Sequence, residues 1–189
     1  ENGIVLTGSL MIEEAGNYYN RLVWMLPNGQ YGHYDKRHLF AFGEEDKHYS
    51  PGNKRLIASV KGWKINLQVC YDLRFPVWAR QQNTETGAEY DLLIYVANWP
   101  ERRSHAWKTL LCARAIENQC YVVGVNRVGS DGKNVYHSGN SLVIDPLGQV
   151  LYHMADEEDV NTITLQKEML EDVRNKFPFW KDADTFNIQ

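Results

Sequence analysis

The chain has 189 residues, 43% hydrophobic and 23% charged, with a formal net charge of −4. That length suits one sizeable core and the composition is ordinary for a globular domain. The acidic balance argues against a general binder of nucleic acid or anionic membrane, which would need excess Lys and Arg, and no apolar run approaches the roughly 20 residues that span a bilayer.

Three cysteines, Cys70, Cys112 and Cys120, cannot all pair within one chain, and their spacing matches no zinc motif. Free thiols in a reducing, cytoplasmic setting are therefore expected, with no metal. Glu1-Asn2-Gly3 has neither a basic flank nor an apolar leader and runs almost directly into Ile4-Val5-Leu6. The natural beginning of the chain is expected to lie further upstream.

Residues 4–10 form the first candidate strand. Residues 21–26 and 30–34 flank Pro27-Asn28-Gly29, a hairpin signal in which both Asn and Gly tolerate positive φ. Residues 35–53 read as irregular, with Gly43, Pro51, Gly52 and several charges. A second hairpin at Lys61-Gly62 joins residues 56–60 to 64–70. There Ile65, Leu67 and Val69 alternate, which places Cys70 on the opposite face at the strand's C-terminal end. Pro76 suits the first turn of a short helix over residues 77–82.

Residues 90–97 are apolar on both faces, as in a fully buried strand. Ser104 can cap a helix reaching about residue 119, with Trp107, Leu110, Leu111 and Ile116 on its apolar side. Arg114 and Glu117 are spaced on it as a structural pair. Residues 120–125 are another buried strand, and 141–145 with 149–153 a hairpin across Pro146-Leu147-Gly148. A strand over 160–165, a helix over 166–176 and an irregular aromatic tail close the chain. Strands outnumber helices and two helices follow buried strands. The pattern predicts one mixed α/β layered domain over residues 1–189, without linker or repeat.

A lone cysteine reads first as a small core hydrophobe, and Cys112 and Cys120 fit that reading. Cys70 differs, because it stands where a buried strand turns through polar residues toward a helix. Such a position presents a side chain and the next backbone N–H to a cleft, and a nucleophilic thiol needs a base or a cation beside it. Lys36, Glu44 and Glu45 would each, taken singly, be solvated loop charges. Arg74 reads equally as a receiver of a substrate carboxylate or as half of a structural ion pair. Trp99 reads as pocket wall or core aromatic.

The order of the segments says more than any one residue. Tyr34-Asp-Lys36-Arg-His-Leu-Phe40, an acidic loop ending in Tyr49-Ser-Pro-Gly52, and Gln68-Val-Cys70-Tyr-Asp-Leu-Arg-Phe-Pro76 together resemble the nitrilase superfamily. The likeness continues through Ala97-Asn-Trp-Pro100, Ala113-Arg-Ala-Ile-Glu-Asn118 and Gly139-Asn-Ser-Leu142, and within the superfamily is nearest to omega-amidases. The resemblance implies an α/β/β/α sandwich, a homodimer, no cofactor and a Glu-Lys-Cys triad acting on a small-molecule amide. It assigns Cys70 as nucleophile and Lys36 as oxyanion stabiliser, with the Tyr71 backbone N–H as second donor and Glu45, or its neighbour Glu44, as a supporting carboxylate. The triad's glutamate belongs to a Leu-Pro-Glu-like segment, and these 189 residues contain none. The chain by itself is therefore expected to be nearly inactive. Two rival readings remain: a Cys-His hydrolase using His38, His105 or His137 as base, and a non-catalytic binding module on the same fold.

Overall fold

Two tight turns build the first sheet. In the computed structural model, which describes residues 3–84 and 87–188, β1 (Leu6–Glu14), β2 (Asn17–Met25) and β3 (Tyr31–Asp35) pair antiparallel in that order. Glu1 and Asn2, on which the reading of the chain's beginning rests, and Gln189 at the end of the tail lie outside the described residues. Ala15 and Gly16, both at positive φ, make the β1–β2 turn. That hairpin was not foreseen, since Ala is an unusual choice for a left-handed position. At the second turn only Gly29 has positive φ, and Leu26 N–H bonds to Gln30 O at 2.8 Å. The loop is thus one residue longer than a two-residue Asn-Gly turn, with Gly29 taking the left-handed position that ends it.

The second sheet starts from β4 (Leu56–Val60) and β5 (Trp63–Val69), joined by the expected hairpin at Lys61-Gly62, where both residues have positive φ. After it come α1 (Pro76–Ala79), the two-residue strands β6 (Asn83–Thr84) and β7 (Gly87–Ala88), β8 (Leu92–Ala97), α2 (Ser104–Asn118) and β9 (Tyr121–Asn126). The remaining elements are β10 (Val128–Ser130), β11 (Tyr136–Ile144), β12 (Val150–Ala155) and α3 (Lys167–Lys176). The strand order is β10-β11-β9-β8-β5-β4, with β12 also paired to β11. Strands β5, β8 and β9 run parallel. Parallel neighbours need crossover connections, which here carry α1 and α2. The two apolar runs read as buried strands are indeed central.

One face of this large sheet packs under α2, where Leu93, Tyr95, Val122 and Ile144 meet Trp107, Leu111 and Ala115. The opposite face buries Ile65, Leu67, Val69 and Leu92 against Leu22, Trp24 and Tyr34 of the small sheet and Leu170 of α3. The architecture is a layered α/β sandwich in which two sheets face each other and helix α2 covers the outer side of one.

Three local expectations are corrected. Ile116 is 52% exposed, so the apolar side of α2 narrows to Trp107, Leu110 and Leu111 with Ala115. Ser104 is the first helical residue rather than the cap. Residues 160–165 form no strand: Ile163 and Leu165 alternate inward over Val123 and Tyr152, but Val160 is 97% exposed. Alternation there reflects a chain laid across a sheet face, not a hydrogen-bonded ladder.

Candidate active site

Parallel strands β5, β8 and β9 end on the same edge of the sheet, a usual place for ligand sites in open α/β folds. At or just past those ends lie Cys70, Ala97-Asn98 and Asn126-Arg127, all lining a cleft of about 550 Å³. From the facing sheet, Asn20, Lys36, Phe40 and Glu45 line the same cleft. The site therefore straddles the two layers.

Cys70 is not the last residue of β5, as expected, but the first of a 3₁₀ turn (Cys70–Arg74), with φ of 46°. A non-glycine residue at positive φ is strained. Here it swings the chain out of the strand, and the half-buried thiol faces the cleft, 4.0 Å from Asn98 O. The Tyr71 N–H, at the start of the turn, has no acceptor within it. Burial pushes the Cys70 thiol up from its ordinary pKa, which the Lys36 charge and the Asn98 carbonyl oppose only in part.

Lys36 follows β3 directly, and its backbone is clamped on both sides. Its N–H bonds to Asn20 O at 2.9 Å, and its carbonyl accepts from Gly52 N–H at 3.0 Å. Gly52 has no substitute here, since a Cβ would lie 2.1 Å from Asp35 O. The Lys36 side chain is 3% exposed, and Nζ lies 2.5 Å from Glu45 Oε2. Glu45 also accepts from the Phe40 N–H at 2.7 Å and Asn20 Nδ2 at 2.9 Å. Burial alone would raise the Glu45 carboxyl, but the Lys36 ammonium and these donors hold it below the usual carboxylate range. Glu44 sits at left-handed φ and pairs with Lys47 on the surface at 2.6 Å. Of the two glutamates, the fold brings only Glu45 to Lys36.

One residue missed in the sequence links the two halves. Asp72, fully buried, accepts from Tyr34 O–H (2.7 Å), His38 N–H (3.0 Å) and Val69 N–H (3.0 Å), and lies 2.8 Å from His38 Nδ1. Tyr34 and His38 bracket Lys36, and Val69 precedes Cys70, so one carboxylate ties both segments together. The sequence signal was available in a charged residue set among apolar ones two places past the cysteine. On the helix side, Arg114 bonds to Leu73 O at 2.6 Å and to Glu117 at 2.8 Å, the expected pair with an added role in holding the turn.

Trp99 is both wall and core. It is 4% exposed, lies tilted against Trp107 with ring centroids 5.5 Å apart and lines a recess beside Cys70. Arg74 is exposed, lies with Cζ 4.9 Å over the Trp99 ring and has no carboxylate partner among the described residues. His38 is committed to Asp72, His137 Nδ1 lies 2.9 Å from Val135 O, and His105 is exposed. None of the three is hydrogen-bonded to Cys70 among the described residues. No helix among them is long and apolar enough to cross a membrane.

A family model described as carbon–nitrogen hydrolase matches residues 1–175. The chain is 46% identical over 186 residues to the omega-amidase YafV of Escherichia coli K12, covering 97% of this chain and 70% of that protein. It is 36% identical over 179 residues to a 2-oxoglutaramate amidase of Bacillus subtilis 168, covering 94% and 68%. The crystal structure of a CN-hydrolase superfamily protein from Xanthomonas campestris, with an arsenic adduct in its active site, superposes with a TM-score of 0.97 at 46% identity, covering 99% of this chain and 72% of that one. With the family model spanning most of the chain and a thiol and buried lysine at one cleft, this chain belongs to the carbon–nitrogen hydrolase family and is a hydrolase of carbon–nitrogen bonds other than peptide bonds.

Proposed function

We propose that Cys70, Lys36 and Glu45 carry the hydrolysis of a small carboxamide, an omega-amide of a 2-oxo dicarboxylic acid such as 2-oxoglutaramate. The observation that carries this reading is a buried Lys36–Glu45 pair opening into the same cleft as a thiol at a strained strand end. The names of the relatives in Escherichia coli and Bacillus subtilis support the substrate class.

The Cys70 thiolate attacks the amide carbonyl carbon, and the carbonyl electron pair moves onto oxygen. The Lys36 ammonium and the Tyr71 N–H receive that oxyanion, each such donor being worth about 10²–10³-fold in rate. Collapse breaks the C–N bond, ammonia departs with a proton, and a thioester on Cys70 remains. Water then attacks the thioester and releases the acid and the thiol. Glu45 is a poor base, because three donors and a depressed pKa favour its anion; its part is to fix and charge-balance Lys36. Proton transfer falls instead to a further carboxylate, the glutamate that the family resemblance implies.

The reading also takes the protein to be a cytoplasmic homodimer joined through its α2 layer, which the exposed Ile116 favours. The decisive experiment follows ammonia release from 2-oxoglutaramate together with mass detection of an acyl group on Cys70. Turnover that survives Cys70→Ala would end the proposal.

A further inference from the structure

Strand β8 ends at Ala97, whose carbonyl accepts from the Arg127 N–H at 3.1 Å. The chain then runs through Asn98, Trp99 and Pro100 along the wall beside the thiol. There a side chain takes over from the strand ladder. Asn126, the last residue of β9 and 8% exposed, accepts from the Trp99 N–H on Oδ1 at 2.7 Å and donates from Nδ2 to Trp99 O at 3.0 Å. Nδ2 also donates to Gly139 O of β11 at 2.6 Å. One buried amide thus stands in for a further peptide of the sheet and ties the ends of three strands together at the cleft.

Asn126 lines that cleft, yet both Nδ2 hydrogens are spent on main-chain carbonyls, so the amide has no donor left for a ligand. What it controls is the neighbouring main chain. Asn98 O lies 4.0 Å from Cys70 Sγ, and no heavy atom of a substrate fits between them. On that side the thiol is closed. The far end of the wall is held separately, because Trp99 Nε1 donates to Arg103 O at 2.8 Å and Pro100 keeps Trp99 extended. The Asn126 amide holds the end beside the thiol.

We propose that Asn126 is a positioning residue: by pinning the Trp99 main chain it keeps the Asn98 wall against the Cys70 thiol and so restricts the site to small amides. This rests on Cys70 being the nucleophile, and it gives Asn126 a part in size selection without contact to the substrate.

The test uses two neutral alkylating agents with the same leaving group, iodoacetamide and its bulkier N-phenyl derivative. Their rate ratio at Cys70 reads the width of the approach, because the ionisation of the thiol cancels from it. Peptide mass spectrometry follows each cysteine separately, with the fully buried Cys120 reporting the fold. The ratio of bulky to small reagent should rise about tenfold in Asn126→Ala, the scale of one lost hydrogen bond. Asn126→Asp, equal in size but unable to donate to the two carbonyls, should rise as far. Asn126→Ser, whose hydroxyl can keep one bond, should rise less. Ratios within about twofold of the unaltered chain in the Ala and Asp variants, with Cys120 still protected, overturn the inference. So does Cys120 reacting freely in all three variants, which would make Asn126 a residue of folding rather than of positioning. Because alkylation needs no hydrolysis, a raised ratio without ammonia release from the unaltered chain would remove the amidase reading and leave the positioning role standing.

Discussion

Replacing Asp72 should separate the two halves of the site. Its carboxylate accepts from Tyr34 O–H, His38 N–H and Val69 N–H, and Asp72→Ala leaves all three without that acceptor. A buried donor stripped of its partner costs about 1–3 kcal/mol. His38 is partly exposed and recovers some water, so the sum is about 3–6 kcal/mol, a large share of a typical stability of about 5–15 kcal/mol. Asp72→Asn keeps one carbonyl oxygen but turns an NH₂ toward donors, and should lose about 2–4 kcal/mol. Urea unfolding measures both, with an unchanged m-value marking a true stability change. In any Asp72→Asn protein that folds, kcat should fall more than KM rises, because what drifts is Lys36 relative to Cys70 rather than the pocket walls. A loss below about 1 kcal/mol in Asp72→Ala would refute the view that this carboxylate joins the layers.

Three further outcomes are expected. Gly52→Ala should displace the Lys36 backbone, since the new Cβ meets a main-chain oxygen at 2.1 Å, lowering hydrolysis and stability together; a fully active, equally stable variant would contradict this. The Cys70 alkylation rate should keep rising with pH beyond the ordinary thiol value of about 8.5, because burial raises this thiol; a plateau at neutral pH would count against it. Glu45 has a folded pKa below its unfolded one, so its stabilising share is complete above about pH 4–5 and is lost as pH falls through the folded value; urea midpoints of Glu45→Gln and the parent chain should converge in acid.

Much of the fold could be read from the sequence because its central strands are apolar on both faces and its turns carry Asn, Gly or Pro. The Lys61-Gly62 hairpin and the run ending at Ala97 were read in that way. The β1–β2 hairpin was hidden because Ala15 gives no turn signal, and residues 160–165 misled because alternation marks any chain resting on a surface. Cys70 and Lys36 were singled out through the order of motifs, which neither residue's own surroundings would have suggested. What stayed illegible was long-range. Nothing local says that Asp72 meets Tyr34 across 38 positions, that Arg103 comes to the cysteine, or that Glu45 rather than Glu44 turns inward. Those facts depend on how one sheet docks on the other and on a single left-handed residue at position 44.

With the proposed roles of Lys36 and Cys70, the cleft's division between two sheets makes turnover a gauge of their registry. Lys36 rides on one and Cys70 on the other, and a misplacement of about 1 Å between reacting groups costs on the order of 10²-fold in rate. A slip that small leaves every strand paired and the circular dichroism untouched. On gentle heating the protein should therefore fall silent before it melts, and a small molecule wedged at the seam far from the cleft could silence it equally well.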